Sequence, residues 1–240
     1  MKKKLSVFIS ILILVSLLPV PARAAGRGLI VSSKNVVVTE EKDGVTVYAF
    51  ARLENNARNA VTFDSGRFDV YSTAGELLGT DDKPAVYAAK YLSFGEYGYL
   101  KAYVSLENVA PAEIGECALT VEGKEYKGRA KIERYACAPV YEEGVVYGGW
   151  LTYDYMGADV TNGTEQVLYD VEAVFALLGE DGTIWNIGYA FLGVLNDVGL
   201  YPGSTVRLRD INSCAVQEAY KNAGQEISSL DAIVYREIYV

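Results

Sequence analysis

The sequence contains no histidine among its 240 residues, and it has only three cysteines and six prolines. Without an imidazole, Ser-His-Asp and Cys-His nucleophile systems, histidine general bases and histidine-ligated zinc or iron are all excluded. Basic residues are also in deficit, with 22 Lys and Arg against 31 Asp and Glu. The formal charge of −9 disfavours nucleic acid and anionic membrane surfaces as partners, because both are recognised through a basic surface.

The first 24 residues have the pattern of a secretory signal peptide. Lys2–Lys4 precede an apolar run, Leu5–Leu18, and small residues then predict cleavage between Ala24 and Ala25. The run is short for a membrane-spanning helix of about 20 residues, which disfavours an uncleaved anchor. We therefore expect a secreted protein, extracellular or associated with the cell wall, with no stable membrane insertion after the signal is removed. Removal takes away four basic residues and no acidic ones, so the mature charge falls from −9 to −13.

The three cysteines do not form a recognisable scaffold or metal site. An exported protein can hold a disulfide, and a bridge between Cys117 and Cys137 is one alternative. With only three cysteines in such a long chain, we favour the interpretation that they are buried thiols, which pack as small apolar side chains. A zinc site would need a fourth ligand and a familiar spacing, and neither is visible. We predict no metal and no cofactor.

The chain repeats itself at an offset of about 107 residues. Phe68–Tyr71 and Phe175–Leu178 are one such pair, and turn residues near Asn55 and Asn162 are another. A period of this length is too long for a solenoid and indicates a duplicated domain. We predict one domain over residues 25–137 and a second over residues 138–240.

Each copy has the pattern of a β-sandwich. Residues 45–53 alternate apolar side chains on one face, as a strand packed on a core does. Roughly seven short strands per copy, separated by turn residues every 8 to 12 positions, predict an all-β protein of two tandem immunoglobulin-like sandwiches. The Cys-Trp-Cys core signature of antibody domains is missing, so we assign each copy to the broader class of immunoglobulin-like sandwiches. One short helix is predicted, at 215–223.

Each copy resembles the FxLYD domain of secreted bacterial proteins. Phe68–Ser72 keeps the Phe and Tyr of that motif but has Val for Leu and Ser for Asp, while Phe175–Gly179 keeps the Phe and Leu and loses the Tyr and Asp. The Asp181-Gly182 turn and the Pro202-Gly203-Ser204 turn also match. The resemblance covers most of residues 28 to 240 and implies an extracellular, envelope-associated module, with the Phe as a core anchor and the Gly residues serving turn geometry.

Tyrosine is abundant, with 19 residues, and part of it is arranged in rows. Exposed aromatic rows on sandwich modules bind sugars or peptides, because the ring stacks and the hydroxyl forms hydrogen bonds. Cross-strand packing inside a two-sided sheet is the alternative, and the one the pattern favours. The residues of the hypothetical aromatic binding surface are Tyr97, Tyr99, Tyr103, Trp150, Tyr153 and Tyr155.

Carboxylates are the only abundant catalytic groups left. A glycosidase needs two of them about 5 to 10 Å apart in a cleft, and Asp154, Asp159 and Asp181 are among the candidates. Calcium is the ion that such groups would suit, but no Asp-x-Asp-x-Asp-Gly loop occurs, so solvated surface charge is favoured. The basic segment 124–134 has charges of both signs, which is typical of an exposed edge strand.

The leading hypothesis is a non-enzymatic, secreted or envelope-associated binding or scaffolding protein. Its partner would be an unknown extracellular protein or a cell-wall glycan, and not nucleic acid. Loops at one end of a sandwich and the tyrosine-rich strand are the expected contact surfaces. An extracellular proteinase inhibitor is an alternative, because a small sandwich can present a rigid loop to a protease. A carboxylate-based glycan-active enzyme is less favoured.

Overall fold

The structure, a computed structural model, describes residues 28–147, 149, 151–193 and 199–239. The predicted signal peptide and its cleavage site at Ala24 and Ala25 lie outside the described residues. The described part of the first half contains seven strands: β1 (Leu29–Glu41), β2 (Gly44–Asn55), β3 (Val61–Ser72), β4 (Leu77–Asp81), β5 (Ala85–Tyr87), β6 (Tyr97–Glu107) and β7 (Ile114–Glu125).

The described part of the second half contains seven more strands and one short helix. In chain order these are β8 (Lys131–Tyr135), β9 (Cys137–Tyr147), β10 (Leu151–Thr161), β11 (Val171–Gly179), β12 (Ile184–Leu192), β13 (Thr205–Asn212), α1 (Cys214–Asn222) and β14 (Ile227–Ile238). The helix begins one residue before the predicted range and is followed by Gly224, whose positive φ of 65° ends it.

The strands form four antiparallel sheets. Sheet A has the order β1-β2-β6-β5, sheet B β4-β3-β7, sheet C β12-β11-β14-β8 and sheet D β13-β10-β9. Sheets A and B form the first sandwich, and sheets C and D form the second. The prediction of an all-β fold built from two sandwiches is confirmed. Within the ranges described, no helix has the length and apolarity needed to cross a bilayer.

Strand β8 belongs to the second sandwich, although the sequence prediction assigned its residues to the first. It pairs with β14 over its whole length, with Tyr135 opposite Val234 and Lys131 opposite Ile238. The change from one half to the other therefore falls between β7 and β8, ahead of the predicted boundary at residue 137. The pairing partner of β8 lies about a hundred residues later in the chain, so local sequence patterns could not reveal the pairing.

The turn after β2 is organised by a buried asparagine. Asn55 donates from Nδ2 to the carbonyl oxygens of Asn59 and Leu92, both at 2.8 Å, and its Oδ1 accepts the Ala57 N–H at 2.8 Å. Its own carbonyl accepts the N–H of Gly95, which has a φ of 76°. One side chain thus joins the end of β2 to the loop that precedes β6.

The second half repeats this corner 107 residues later. Asn162 donates from Nδ2 to the carbonyl oxygens of Gln166 and Leu200, both at 2.7 Å, and its Oδ1 accepts the Thr164 N–H at 2.8 Å. Its carbonyl accepts the N–H of Gly203, which has a φ of 71°. Equivalent residues therefore make equivalent bonds in both sandwiches, which is the structural counterpart of the repeat in the sequence.

The four sheets are stacked in the order B, A, C, D. One core lies between sheets A and B and contains Phe68, and the other lies between sheets C and D and contains Phe175. The motif phenylalanines of both copies are fully buried. The second cluster continues through sheet C to Phe50 and Tyr99 on the outer face of sheet A, so the two sandwiches are joined by a further apolar layer.

The cysteines are free thiols, and the Cys117–Cys137 bridge considered from the sequence is not formed. Cys117 lies on β7 in sheet B and Cys137 on β9 in sheet D, the two outermost layers of the stack. Stacked sheets are about 10 Å apart, whereas a disulfide requires Cα atoms within about 7 Å. The third cysteine, Cys214, is exposed at the start of α1.

We predict that the Asn55→Ala variant loses about 3 kcal/mol of unfolding free energy, because the corner loses three side-chain hydrogen bonds, one of them buried and two partly buried. Urea denaturation measures the change. The neighbouring Asn56→Ala variant is the control, since Asn56 is exposed and makes no side-chain hydrogen bond among the described residues. A loss of similar size in both variants would contradict the role assigned to Asn55.

Candidate functional site

The tyrosine row predicted as a binding surface lies on β6, on the face of sheet A that meets sheet C. Tyr99 is 1% exposed and Tyr103 is 57% exposed, with Tyr97 half-buried between these extremes. The hypothesis of an exposed binding row is therefore wrong for Tyr99, because the second sandwich covers it, and the packing alternative that the pattern favoured applies to this residue. Tyr103, at the far end of the row, remains accessible.

A single carboxylate connects this row to the second sandwich. Asp231 of β14 accepts the hydroxyl of Tyr97 at 2.9 Å and that of Tyr99 at 2.5 Å on the same oxygen, Oδ2. The Arg52 guanidinium lies 3.6 Å from the centre of the Tyr97 ring, a cation–π contact. Its Nε is buried without an acceptor among the described residues. The contact between the sandwiches thus contains two charged side chains, Asp231 and Arg52, which interact with the tyrosines of an otherwise aromatic layer.

The two tyrosines of this group resist ionisation. Burial and then the negative charge of Asp231 raise the pKa of Tyr97 to about 12. For Tyr99, burial and the hydrogen bond to Asp231 raise the pKa still further. Both hydroxyls therefore stay protonated and keep donating to the carboxylate at neutral pH.

Other contacts extend the same interface toward its edges. Tyr189 and Tyr235 both donate to Glu172 Oε2, at 3.0 and 2.9 Å, on the face of sheet C that is turned to sheet A. The ring of Tyr87 on β5 lies 6.0 Å from that of Tyr189. At the β1 edge, Asn35 donates to the backbone carbonyl of Ile184 at 2.9 Å, and this bond is buried. The interface spans sheet A from β1 to β5.

The second predicted aromatic group is on sheet D and is not an open surface either. Tyr155 is 8% exposed because the Arg209 guanidinium lies 4.4 Å above its ring. Tyr153 is half-buried on the same strand. Trp150 lies outside the described residues. Tyr155 is therefore unavailable as a stacking platform, and the hypothesis of an aromatic binding surface fails for this residue.

The outer faces of sheets B and D are covered by ion pairs. On sheet B, Arg67 contacts Asp69 at 2.8 Å. On sheet D, Arg207 contacts Asp159 at 2.7 Å and Glu142 at 2.9 Å. The hydrogen bond from Arg207 holds the pKa of Asp159 below its usual value. These faces carry charged, mutually neutralised side chains.

The candidate catalytic carboxylates have structural partners. Asp154 accepts the hydroxyl of Tyr141 at 3.0 Å and the N–H of Gly144 at 2.8 Å, which closes the end of sheet D. Asp181 accepts the N–H of Thr183 at 2.9 Å within a turn. In the described part of the chain, no three Cys, Asp or Glu side chains lie together as metal ligands would.

Exposed aromatic side chains instead gather at one end of the stack. Phe94 is 67% exposed and Tyr201 is 62% exposed, and each sits in the turn that precedes the glycine bonded to Asn55 or Asn162. These turns lie at the same end of the stack. Glu96, beside the Phe94 turn, contacts Arg134 of β8 at 2.6 Å, and Arg134 lies opposite Tyr235 of β14. Tyr235 in turn lies opposite Glu172 at the start of β11, and the segment just before β11 pairs with the Tyr201 turn through Leu168 and Leu200.

Further exposed rings lie at this end, which we call the aromatic end. Its five members are Phe94, Tyr169, Phe191, Tyr201 and Tyr239, with exposed fractions between 40% and 72%. The sequence pointed to loops at one end of a sandwich but did not single out these residues. The signal that could have found them is the repeated turn, since Phe94 and Tyr201 lie next to its glycines.

A cleft opens beside the aromatic end in the first sandwich. An apolar pocket of about 180 Å³ lies between the ends of β1, β2 and β3 and the segment before β6. An open depression of about 410 Å³ adjoins it and is bordered by residues 124–128 of the basic segment. Thr62, Phe63 and Lys90 line both spaces, so the pocket and the depression form one cleft.

Comparison with known proteins adds no function. No family model and no curated protein matches the chain. A solved structure that shares some of its shape is the D341A D367A calcium binding mutant of Bacteroides uniformis beta-glucuronidase 2, with 13% sequence identity and a TM-score of 0.20. That match covers 74% of this chain, and this chain spans 23% of the other.

We expect the Tyr99→Phe variant to lose about 1 to 2 kcal/mol of unfolding free energy, because Asp231 then keeps one of its two hydroxyl donors in a buried site. Chemical denaturation measures the loss. Tyr103→Phe removes the same atom from the exposed end of the same row and should change stability by less than about 0.5 kcal/mol. Equal effects of the two substitutions would show that the hydroxyl of Tyr99 has no special role.

The interface should weaken at alkaline pH. Tyrosine in an unfolded chain has a pKa of about 10, whereas the pKa of Tyr97 in the folded protein is about 12. A raised pKa adds stability that is fully present below about pH 10 and is lost as the pH rises through the folded value. The stability difference between the wild type and the Tyr97→Phe variant should therefore shrink between about pH 10 and pH 12. Urea denaturation at a series of pH values measures it, and a constant difference would contradict the argument.

Proposed function

We propose that this protein is a non-enzymatic, secreted or envelope-associated binding or scaffolding module. The signal-peptide pattern and the resemblance to FxLYD domains support export and attachment to the envelope. The ligand would be an extracellular protein or a cell-wall glycan, and its contact surface would be the aromatic end.

The observation that carries this proposal is the pair of aromatic turns. Phe94 and Tyr201 occupy neighbouring positions of a duplicated turn, and both are largely exposed at the same end of the stack. Single exposed apolar residues are ordinary, but large rings collected at loop ends are typical of sandwich domains that bind through those loops. An aromatic ring supplies contact area at little cost in conformational entropy, whether the ligand is a sugar or a peptide.

The rigid interface between the sandwiches supports the same proposal. The bonds from Tyr97 and Tyr99 to Asp231 and the buried rings around them hold both sandwiches in one orientation. The two turns are therefore presented at a fixed spacing. A ligand that contacts both would not have to order the linker first, so the cost of binding is reduced.

We predict that the purified protein is retained by isolated cell-wall material or by immobilised secreted proteins, and that a Phe94→Ser, Tyr201→Ser double variant is retained at least about fivefold less. Co-sedimentation measures retention on the wall, and a pulldown measures it on proteins. Treating the wall with protease beforehand distinguishes a glycan from a protein ligand.

The matched control is the Leu77→Ser, Val146→Ser double variant, which removes two exposed apolar side chains from the opposite end of the stack. Its retention should equal that of the wild type. The proposal fails if the wild type is retained on neither material, or if the two double variants lose retention equally.

A further inference from the structure

The apolar pocket of the cleft has the size of a small ring. Leu29, Leu53, Val61 and Leu92 form its walls, and each is less than 5% exposed. Its volume of about 180 Å³ is comparable to a cavity of about 150 Å³ that holds benzene in another protein. A phenyl ring or a short branched alkyl group therefore fits.

The mouth of the cleft is basic, in contrast to the acidic protein as a whole. Lys90, Lys124 and Lys127 line it together with one acidic residue, Glu125. Two of these lysines come from the segment 124–134, whose excess of basic residues stands out in a chain with a charge of −9. The fold places residues 124–128 of this segment around the depression that adjoins the apolar pocket.

Of the three lysines, Lys90 is the one that is free to bind an anion. Lys124 is paired with Asp64, and Lys127 lies 3.9 Å from Glu125. No acceptor for the Lys90 ammonium is found in the described part of the chain, although its backbone N–H donates to Glu237. Lys90 also lines both the apolar pocket and the outer depression, so this residue lies where the two spaces join.

We propose that this cleft binds small amphipathic carboxylates, with an apolar group of about phenyl size in the pocket and the carboxylate at Lys90. One unpaired ammonium matches a single negative charge. The acidic neighbours Glu125 and Glu237 disfavour a dianion such as a phosphate monoester more than a monoanion, because like charges repel. This ligand class is separate from the polymer that would bind the aromatic end, and the proposal does not rest on the function given above.

The test uses phenylacetate as the probe and phenylacetamide, which has the same apolar group without the charge, as its control. Chemical-shift changes of the methyl groups of Leu29, Leu53, Val61 and Leu92 in a nuclear magnetic resonance titration report occupation of the pocket. We expect both compounds to shift these methyl groups, with phenylacetate binding about fivefold more tightly at low salt. The Lys90→Gln variant should remove that difference.

The Lys42→Gln variant makes the same charge change in the turn between β1 and β2, at the other end of the sandwich, and should keep the difference. A second variant, Val86→Phe, places a ring in the pocket wall and should weaken both compounds; if it does not fold, Lys90→Gln decides. The proposal is overturned if the methyl groups do not shift with phenylacetate, if acid and amide bind equally, or if Lys90→Gln has no effect. None of these readouts depends on binding to cell walls or secreted proteins.

Discussion

The contact between sheet A and sheet C buries Phe50 and Tyr99 completely. Each buried ring contributes about 2 to 3 kcal/mol to folding stability, because its apolar surface is removed from water. The burial has a polar cost, since the hydroxyls of Tyr97 and Tyr99 leave water as well. Asp231 meets that cost by accepting both hydroxyls, and its own charge is in turn stabilised by them. Because these bonds require one lateral position of sheet A on sheet C, they fix the orientation that nonspecific apolar contact would leave loose.

The two sandwiches meet through different faces, which raises the question of why the stack ends after two copies. Sheet D is the counterpart of sheet A, and its outer face would accept another sandwich if its residues were the same. Instead, Gly157 stands at the position of Phe50 and Arg207 at the position of Tyr99, and Arg207 is paired with Asp159. Ion-paired faces are costly to dehydrate, so they end the stack in the way that polar terminal repeats end a solenoid. Because the two copies differ in sequence, the outer face of sheet A packs against sheet C, whereas the outer face of sheet D stays exposed to water.

Local features of the chain were predictable because their causes are local. Asn55 and Asn162 were predicted as turn residues because each follows a strand in the sequence. The alternation of side chains along β6 correctly placed Tyr97, Tyr99 and Tyr103 on one face of the strand. What covers that face could not be read, because Asp231 lies more than a hundred residues away and alternation is the same for a buried and an exposed row. The cleft was missed for the same reason, since its walls come from segments far apart in the chain.

The stacking arrangement also determines which surfaces are available for the binding function proposed above. The inner faces are used by packing and the outer faces carry ion pairs, whereas most of the exposed aromatic rings lie at the aromatic end. Duplication places two equivalent turns at one end, and the rigid interface keeps Phe94 and Tyr201 at a constant separation. For a ligand with repeating units, the second contact then forms at an effective concentration set by this spacing, which strengthens binding without any new chemistry. Under the proposed function, a single copy would present the same turn without that gain, so duplication would strengthen binding as well as stability.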